Sequence, residues 1–433
     1  MALCLVLFFY QVNADDLLKI YDMALQSDPK ILQAEANRNA AQELKPQSIA
    51  RLLPNLAIVG NLTQNRFDTT STFTTLQVGQ QHFWDSNVYL KLTQPLYHHD
   101  YWTQLSQSDN QLAQAEADYE AEQQDLFVRT AKAYFAVLTA QDNLDFANAE
   151  RRAIERQLAQ ADRKFAVGTV AITDLREAQA GFDLAIANTI ASQRALSVAK
   201  AALREIIGQD DTELLPMNLE PPLLEPSPPK LEDWSELAQR NNLVIIGAEN
   251  RAEFAKKNIE VQFAGHLPTL DLVASVGIND TDRPAGLVAN SQTVGLQMNM
   301  PLFQGGAVNS RVRQSQHQLD AAKQELIKSR RSVEKQIQDA FYGVQFSINQ
   351  LRALKAAIES TRTAVEATES GFRVGTRTMV DVVTSERNFY RAQRDHAVAR
   401  YEYITNSLAL KQSASILTRQ DIMLVNAWLG PQK

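Results

Sequence analysis

The chain has 433 residues, 45% of them hydrophobic and 21% charged, with a formal net charge of −7. This composition excludes a disordered or collagen-like chain, and the length allows a large fold. The acidic balance argues against a nucleic-acid partner, because phosphate binding needs a basic face.

In chain order, Met1 to Tyr10 is apolar and is followed by Val12-Asn13-Ala14 and Asp15-Asp16. An apolar run ending in a small-residue site reads as a secretory signal, here residues 1–14 with cleavage after Ala14. The single cysteine, Cys4, lies inside it, so a mature chain has none. Disulfides and most zinc patterns are thereby excluded. No apolar run reaches the roughly 20 residues of a membrane-spanning helix. A secreted chain of this kind is periplasmic, extracellular or an outer-membrane β-barrel.

Leu17, Ile20, Tyr21, Ala24 and Leu25 recur at helical spacing, and Pro54 stops that helical region. Two alternating segments follow. Leu56, Ile58, Gly60 and Leu62 form one apolar set, and Val88, Leu90 and Leu92 the other. This is period two, over about ten residues each, the length of a tilted membrane strand. The polar stretch Phe67 to Gln81 between them is expected to be an external loop. A proline-free helix is then expected from Tyr101 to Phe165, about 100 Å long at 1.5 Å per residue. A glycine turn and a second helix, Thr173 to Ile207, complete this half. Pro216 to Pro229 holds six prolines, which favours an extended crossover.

The second half repeats the scheme. Leu237, Val244 and Ile245 mark helix, and Pro268 ends it. Leu270 to Ile278 and Val294 to Leu302 alternate, separated by the polar stretch Asp280 to Ser291. Long helices are expected over Val308 to Phe372 and Met379 to Leu417. Positions such as Tyr134, Phe135 and Leu138, or Val344, Ile348 and Leu351, form a narrow seam suited to coiled-coil packing.

The correspondence is a duplication. Phe165-Ala166-Val167-Gly168-Thr169 matches Phe372-Arg373-Val374-Gly375-Thr376 at an offset of 372 − 165 = 207. Leu53-Pro54-Asn55-Leu56 matches Leu267-Pro268-Thr269-Leu270 at 267 − 53 = 214. The drift places a longer insertion in the first half. The repeats are residues 15–230 and 231–433.

Either a membrane barrel or soluble hairpins on a helical core would give such alternating strands. Phe83, Trp84, Tyr97, Tyr101, Trp102 and Phe303 cluster at strand ends, as interfacial aromatics do, and favour the barrel. Four strands cannot close a barrel, and an open edge cannot sit in lipid. Several chains must then share one. Two give eight strands, too few for a lumen, and three give twelve. The expected fold is α+β: an internally duplicated chain whose trimer forms a 12-stranded outer-membrane β-barrel, continued by a long α-helical coiled-coil barrel in the periplasm.

Four stretches carry a family resemblance. They are Val167 to Asp174, His266 to Leu272, Pro301 to Gly306 and Val374 to Val382. Over nearly all its mature length the chain resembles the TolC family of Gram-negative outer-membrane factors, and is closer to the family's founding branch than to its lipoproteins. The resemblance implies a passive trimeric duct for multidrug efflux, type I protein secretion or both. Its partners would be a periplasmic adaptor, an inner-membrane transporter of ABC, RND or MFS type, and outer-membrane lipid.

The resemblance also assigns residues. Gly168, Thr169, Gly375 and Thr376 mark the hairpin tips where adaptors dock. Thr173, Asp174, Phe372 and Arg377 match the latch that holds the periplasmic entrance closed, with Arg377–Asp174 as its contact. The family has a tyrosine where this chain has Phe372, so a hydroxyl link is lost. Asp381 matches an aspartate of the entrance constriction. The family's second aspartate, one turn on, is Thr384 here, which lowers the expected ring charge from six to three. Glu177, one turn after Asp174, is a further carboxylate for that region.

No nucleotide loop, nucleophile elbow or zinc-helix motif appears, and no cofactor is expected. His98-His99-Asp100 reads as a polar strand end, since adjacent residues rarely aim at one metal ion. Gly305-Gly306 reads as a strand-to-helix hinge. The competing function is a periplasmic coiled-coil adaptor or structural protein, which would lack paired ten-residue strands with aromatic ends.

Overall fold

A computed structural model describes residues 15–69, 79–209, 213–217, 220–282 and 287–430. The expected signal, residues 1–14, lies outside the described residues, as do parts of both expected loops, 70–78 and 283–286. The first repeat contains α1 (Leu17–Ser27), α2 (Pro29–Gln42), α3 (Leu44–Ala50), β1 (Asn55–Thr69), β2 (Gly79–Tyr97), α4 (His99–Ala166) and α5 (Ile172–Ile207). The second contains α6 (Leu231–Asn241), α7 (Leu243–Phe263), β3 (Thr269–Thr281), β4 (Leu287–Asn299), α8 (Ala307–Arg373), α9 (Met379–Ser413) and α10 (Arg419–Asn426). The chain divides into two compact units, each drawing on both repeats.

The first unit comprises residues 37–117 and 246–328 and holds the sheet. Its four strands are antiparallel in the order β1-β2-β3-β4. The register sets Leu56 opposite Leu92, Ile58 opposite Leu90, Val88 opposite Ile278 and Ala274 opposite Val294. The apolar sets of all four strands therefore share one face. That face is bare in the chain: Ile58 is 77% and Val294 78% exposed. The other face carries Asn61, Asn87 and Asn279 in a row across three strands. A contiguous exposed apolar face of this kind needs lipid or a partner to cover it. Tyr89 lies across Gly277, directly opposite, where any Cβ would overlap it. The outer edges of β1 and β4 have no strand beside them among the described residues.

The strands are longer than expected, at 15, 19, 13 and 13 residues, and run into the stretches read as loops. The reason is that a backbone ladder does not require an apolar face. Asn65 pairs across with Phe83, and Arg66 with His82. The Asn65 side-chain amide also donates to Asp85 at 2.7 Å. Polar side chains satisfied in this way let pairing continue past the apolar band. At the opposite strand end, His98 Nε2 lies 3.1 Å from the Asp271 carboxylate, and the His98 ring stacks on Tyr101. Gly305 and Gly306 take φ of +60° and +80° between β4 and α8.

The second unit comprises residues 1–36, 118–245 and 329–433, and its described residues are mainly helical. The expected opening helix of each repeat is broken at an equivalent cap, and that of the first repeat again at Glu43. Asp28 accepts from the Lys30 and Ile31 amides, and Asn242 from those of Val244 and Ile245. Their separation, 242 − 28 = 214, equals the offset of the Leu-Pro match. Arg129 reaches the Asp28 carboxylate at 2.7 Å, with Glu122 at 2.7 Å and Asp125 at 3.0 Å. This fixes the α1–α2 joint to α4. Among the described residues, no helix is long and apolar enough to cross a membrane.

One helix end departs from expectation. α9 stops at Ser413, not Leu417, because Ser415 turns left-handed at φ +52°. Its amide bonds Gln412 O and that of Ile416 bonds Lys411 O, the paired bonds of a Schellman stop. The unexpected α10 follows, capped by Thr418 and Asp421. Its Arg419 reaches back to Asp22 of α1 at 3.0 Å.

Candidate functional site

The two hairpin tips lie in the helical unit. Both α4 and α8 end in a Schellman motif. Gly168 takes φ +76°, with its amide on Phe165 O and the Thr169 amide on Lys164 O. Gly375 takes φ +80°, with its amide on Phe372 O and the Thr376 amide on Gly371 O. Each threonine hydroxyl also donates to the carbonyl its own amide uses. Paired backbone hydrogen bonds, each backed by a threonine hydroxyl, thus fix both turns, and only glycine takes the left-handed position cheaply.

The next helices start differently. At α9, Thr378 and Asp381 form a reciprocal capping box. Asp381 Oδ2 accepts from the Thr378 amide at 2.9 Å and from its hydroxyl at 3.0 Å, while Thr378 Oγ1 accepts from the Asp381 amide at 3.3 Å. The Thr378 backbone bond chiefly, then its hydroxyl and the nearby Arg377, hold the Asp381 carboxyl below the usual carboxylate range. At α5, Asp174 accepts from the Ala171 amide at 3.3 Å, and alanine returns nothing. The first-repeat cap is the weaker of the two.

Apolar packing joins the hairpins within the chain. Ile154, Ala161, Ala178, Ala185, Met379, Val382 and Val383 form a buried cluster, with Phe372 against it. The Lys164 ammonium sits 4.4 Å above the Phe372 ring. Gly181 lies close against Val383, which brings α5 and α9 into near contact. Thr173, Glu177, Arg377 and Thr384 are exposed. Among the described residues Arg377 has no ion pair, so it does not meet Asp174 within one chain.

The sequence reading did not single out Glu386. It is 6% exposed and accepts from Gln157 at 3.3 Å, while its second oxygen is buried without a hydrogen bond. Burial raises its pKa, with Glu369 and Glu150 adding to this and Gln157 and Arg156 opposing it. Its position one turn from Val382 and Val383 on the apolar side of α9 was the available signal. The Thr378-Met379-Val380-Asp381 capping pattern was equally readable.

Comparison with known proteins adds the family. The outer membrane efflux protein family model matches residues 20–209 and 234–415. The chain is 37% identical to the outer membrane protein TolC of Vibrio cholerae over 427 residues, covering 98% of this chain and 95% of that protein. It is 30% identical to the proteases secretion protein PrtF of Dickeya chrysanthemi over 425 residues, covering 96% and 91%. The crystal structure of the Campylobacter jejuni CmeC outer membrane channel aligns with a TM-score of 0.81 at 17% identity, covering 97% of this chain and 91% of that one. Channels of this family are trimers and are not enzymes. The chain belongs to the outer membrane efflux protein family, as a TolC-like efflux and secretion channel that sits in the outer membrane and extends into the periplasm.

Proposed function

We propose that three copies of this chain close one duct whose periplasmic entrance is latched between copies by the hairpin tips. The observation that carries this is Arg377: it is exposed, and among the described residues it forms no ion pair within its own chain, where Asp381 is only near enough to feel its charge. Asp174 of the neighbouring copy, with Thr173 beside it, is the partner it fits. Phe372 cannot make a hydroxyl link, and the Lys164 ammonium over its ring supplies about 0.5–1 kcal/mol between the hairpins instead. Asp381, held ionised by its cap, repeats threefold at the constriction with Thr384, and converging carboxylates attract cations. Glu177 adds a carboxylate below it. The turns at Gly168, Thr169, Gly375 and Thr376 dock a periplasmic adaptor, which couples the duct to an inner-membrane transporter of ABC, RND or MFS type.

Two exposed seams support the assembly. On α5, Ala180, Leu184, Ala187 and Ala191 follow steps of four, three and four, with Val198 seven residues on, and all are exposed. On α8, Tyr342, Phe346, Ala353, Ala356 and Ala367 are exposed at steps of four, seven, three and eleven, which keep them on one side of the helix. Such spacing is that of a helix packing partner. We assign the α5 seam of one copy to the α8 seam of the next, with β4 of one beside β1 of its neighbour.

Planar-bilayer recording tests the entrance. Arg377→Ala should raise single-channel conductance, and Asp381→Asn should weaken block by divalent cations. Traces identical to wild type in both would remove the latch and the ring together.

A further inference from the structure

Above the tip cluster, α4, α5 and α9 enclose an open groove of about 340 Å³. α9 lines it with Arg387, Tyr390, Arg391 and Arg394, α4 with Glu150 and Asn143, and α5 with Asn188 and Ser192. Its charges do not balance locally. Arg387 lies 3.8 Å from Glu150, and among the described residues Arg394 forms its ion pair with its chain neighbour Asp395, at 3.4 Å. Arg391 makes no ion pair or hydrogen bond among the described residues. Glu150 is thus one half-buried carboxylate facing three guanidinium groups, all of which act on it.

The position of these arginines on α9 gives them a role. Thr384, Arg387, Arg391 and Arg394 are exposed and follow steps of three, four and three, which puts them on one face. Met379, Val382, Val383 and Glu386 are buried on the adjoining face. The arginine face therefore continues upward from the residues assigned above to the constriction. It is also a poor surface for a neighbouring helix, because guanidinium groups stripped of water without carboxylates to receive them are costly. The apolar seams of α5 and α8 offer the neighbour a better surface.

We propose that this groove opens on the lumen just above the entrance and is an anion-binding throat, so that the favoured cargo carries oxyanions, carboxylate or phosphate. Guanidinium groups take such groups in paired, charge-assisted hydrogen bonds. Asn188, Ser192 and Tyr390 add neutral hydrogen-bonding groups beside them. Threefold symmetry would set three such grooves around one axis, where like-signed charge focuses counter-ions. With Thr384 in place of a second acidic ring, the narrow entrance no longer dominates what passes. The inference rests on the reading that Asp381 lines the constriction.

The test uses the purified full-length trimer in planar bilayers, with citrate as a carboxylate probe and inorganic phosphate as the second, each added on the periplasmic side. In wild type, both should reduce current. In the variant carrying Arg387→Gln, Arg391→Gln and Arg394→Gln, block should be about tenfold weaker and the reversal potential in a KCl gradient should move toward cation preference. If the triple variant fails to assemble, Arg391→Gln alone serves, since among the described residues that side chain makes no ion pair or hydrogen bond to lose; it should shift both readouts in the same direction. Open channels with unchanged block and reversal potential would overturn the throat. Asp381→Asn separates the two readings. If it weakens divalent-cation block while the arginine variants do nothing, only the throat fails. If it changes nothing, the constriction lies elsewhere and the throat loses its position.

Discussion

Arg129 meets three carboxylates at once and ties the start of the chain to α4. Asp28, its nearly buried partner, has its carboxyl pushed up by burial, but the Arg129 bond and the Ile31 and Lys30 amides prevail and hold it below the usual range. Its contribution is therefore full above the ordinary carboxylate pKa and is lost as pH falls through the lowered one. Arg129→Ala should cost about 1.5–3 kcal/mol in urea unfolding, the range for hydrogen bonds to charged groups. An unchanged midpoint would show that the Asp28 cap stands without it. Glu386 has the opposite sign. Burial raises its pKa, so its protonated form suits the fold, and stability is lost as pH rises through the raised value. Glu386→Gln should raise the thermal midpoint at neutral pH, and the gain should vanish in acid. A gain independent of pH would point to packing, not charge. Arg129 was not legible beforehand, and Glu386 only through its place on the apolar side of α9. Arg129 and Glu386 lie in polar-rich stretches of long helices, and only the packed partners, far away in sequence, decide which charges become buried.

The helical elements were legible because their stops are local chemistry. Both tip turns follow from a glycine three residues after a phenylalanine in the last turn of the helix, and the ends of α4, α5 and α8 fell within two residues of expectation. Gly375→Ala would force alanine left-handed, costing about 1–2 kcal/mol, and should destabilise the second hairpin. Hydrogen exchange at the Thr376 amide should quicken, while that at Thr169 should not; equal rates would mean the turn is not held by its Schellman bonds. The stop at Ser415 escaped notice because serine rarely takes a positive φ. The breaks at Asp28 and Asn242 escaped notice because both caps sit inside continuous helical periodicity. Strand ends were misjudged for the reason given by Asn65 and Asp85: apolar alternation marks where a strand meets lipid, not where pairing stops.

At the scale of the whole molecule, the duplication and the four strands could be read from the sequence, and the exposed apolar sheet face agrees with them. The neighbour-facing seams were not distinguished from core seams, since both have coiled-coil spacing and only burial separates Phe346, 67% exposed, from Ile348, 3% exposed. Phe346→Glu should lower the yield of heat-modifiable trimers on gels while leaving the chain's helix content by circular dichroism unchanged. Normal trimer yield would move the contact elsewhere.

The two bare margins of the sheet belong to different strands, so each copy offers its neighbours two unlike edges, head to tail. A ring built that way tolerates no spoiled member. If half the pool of chains carried a β4 unable to pair, random mixing would leave only about one ring in eight intact. A single altered gene copy expressed beside the normal one should therefore poison export far beyond its share.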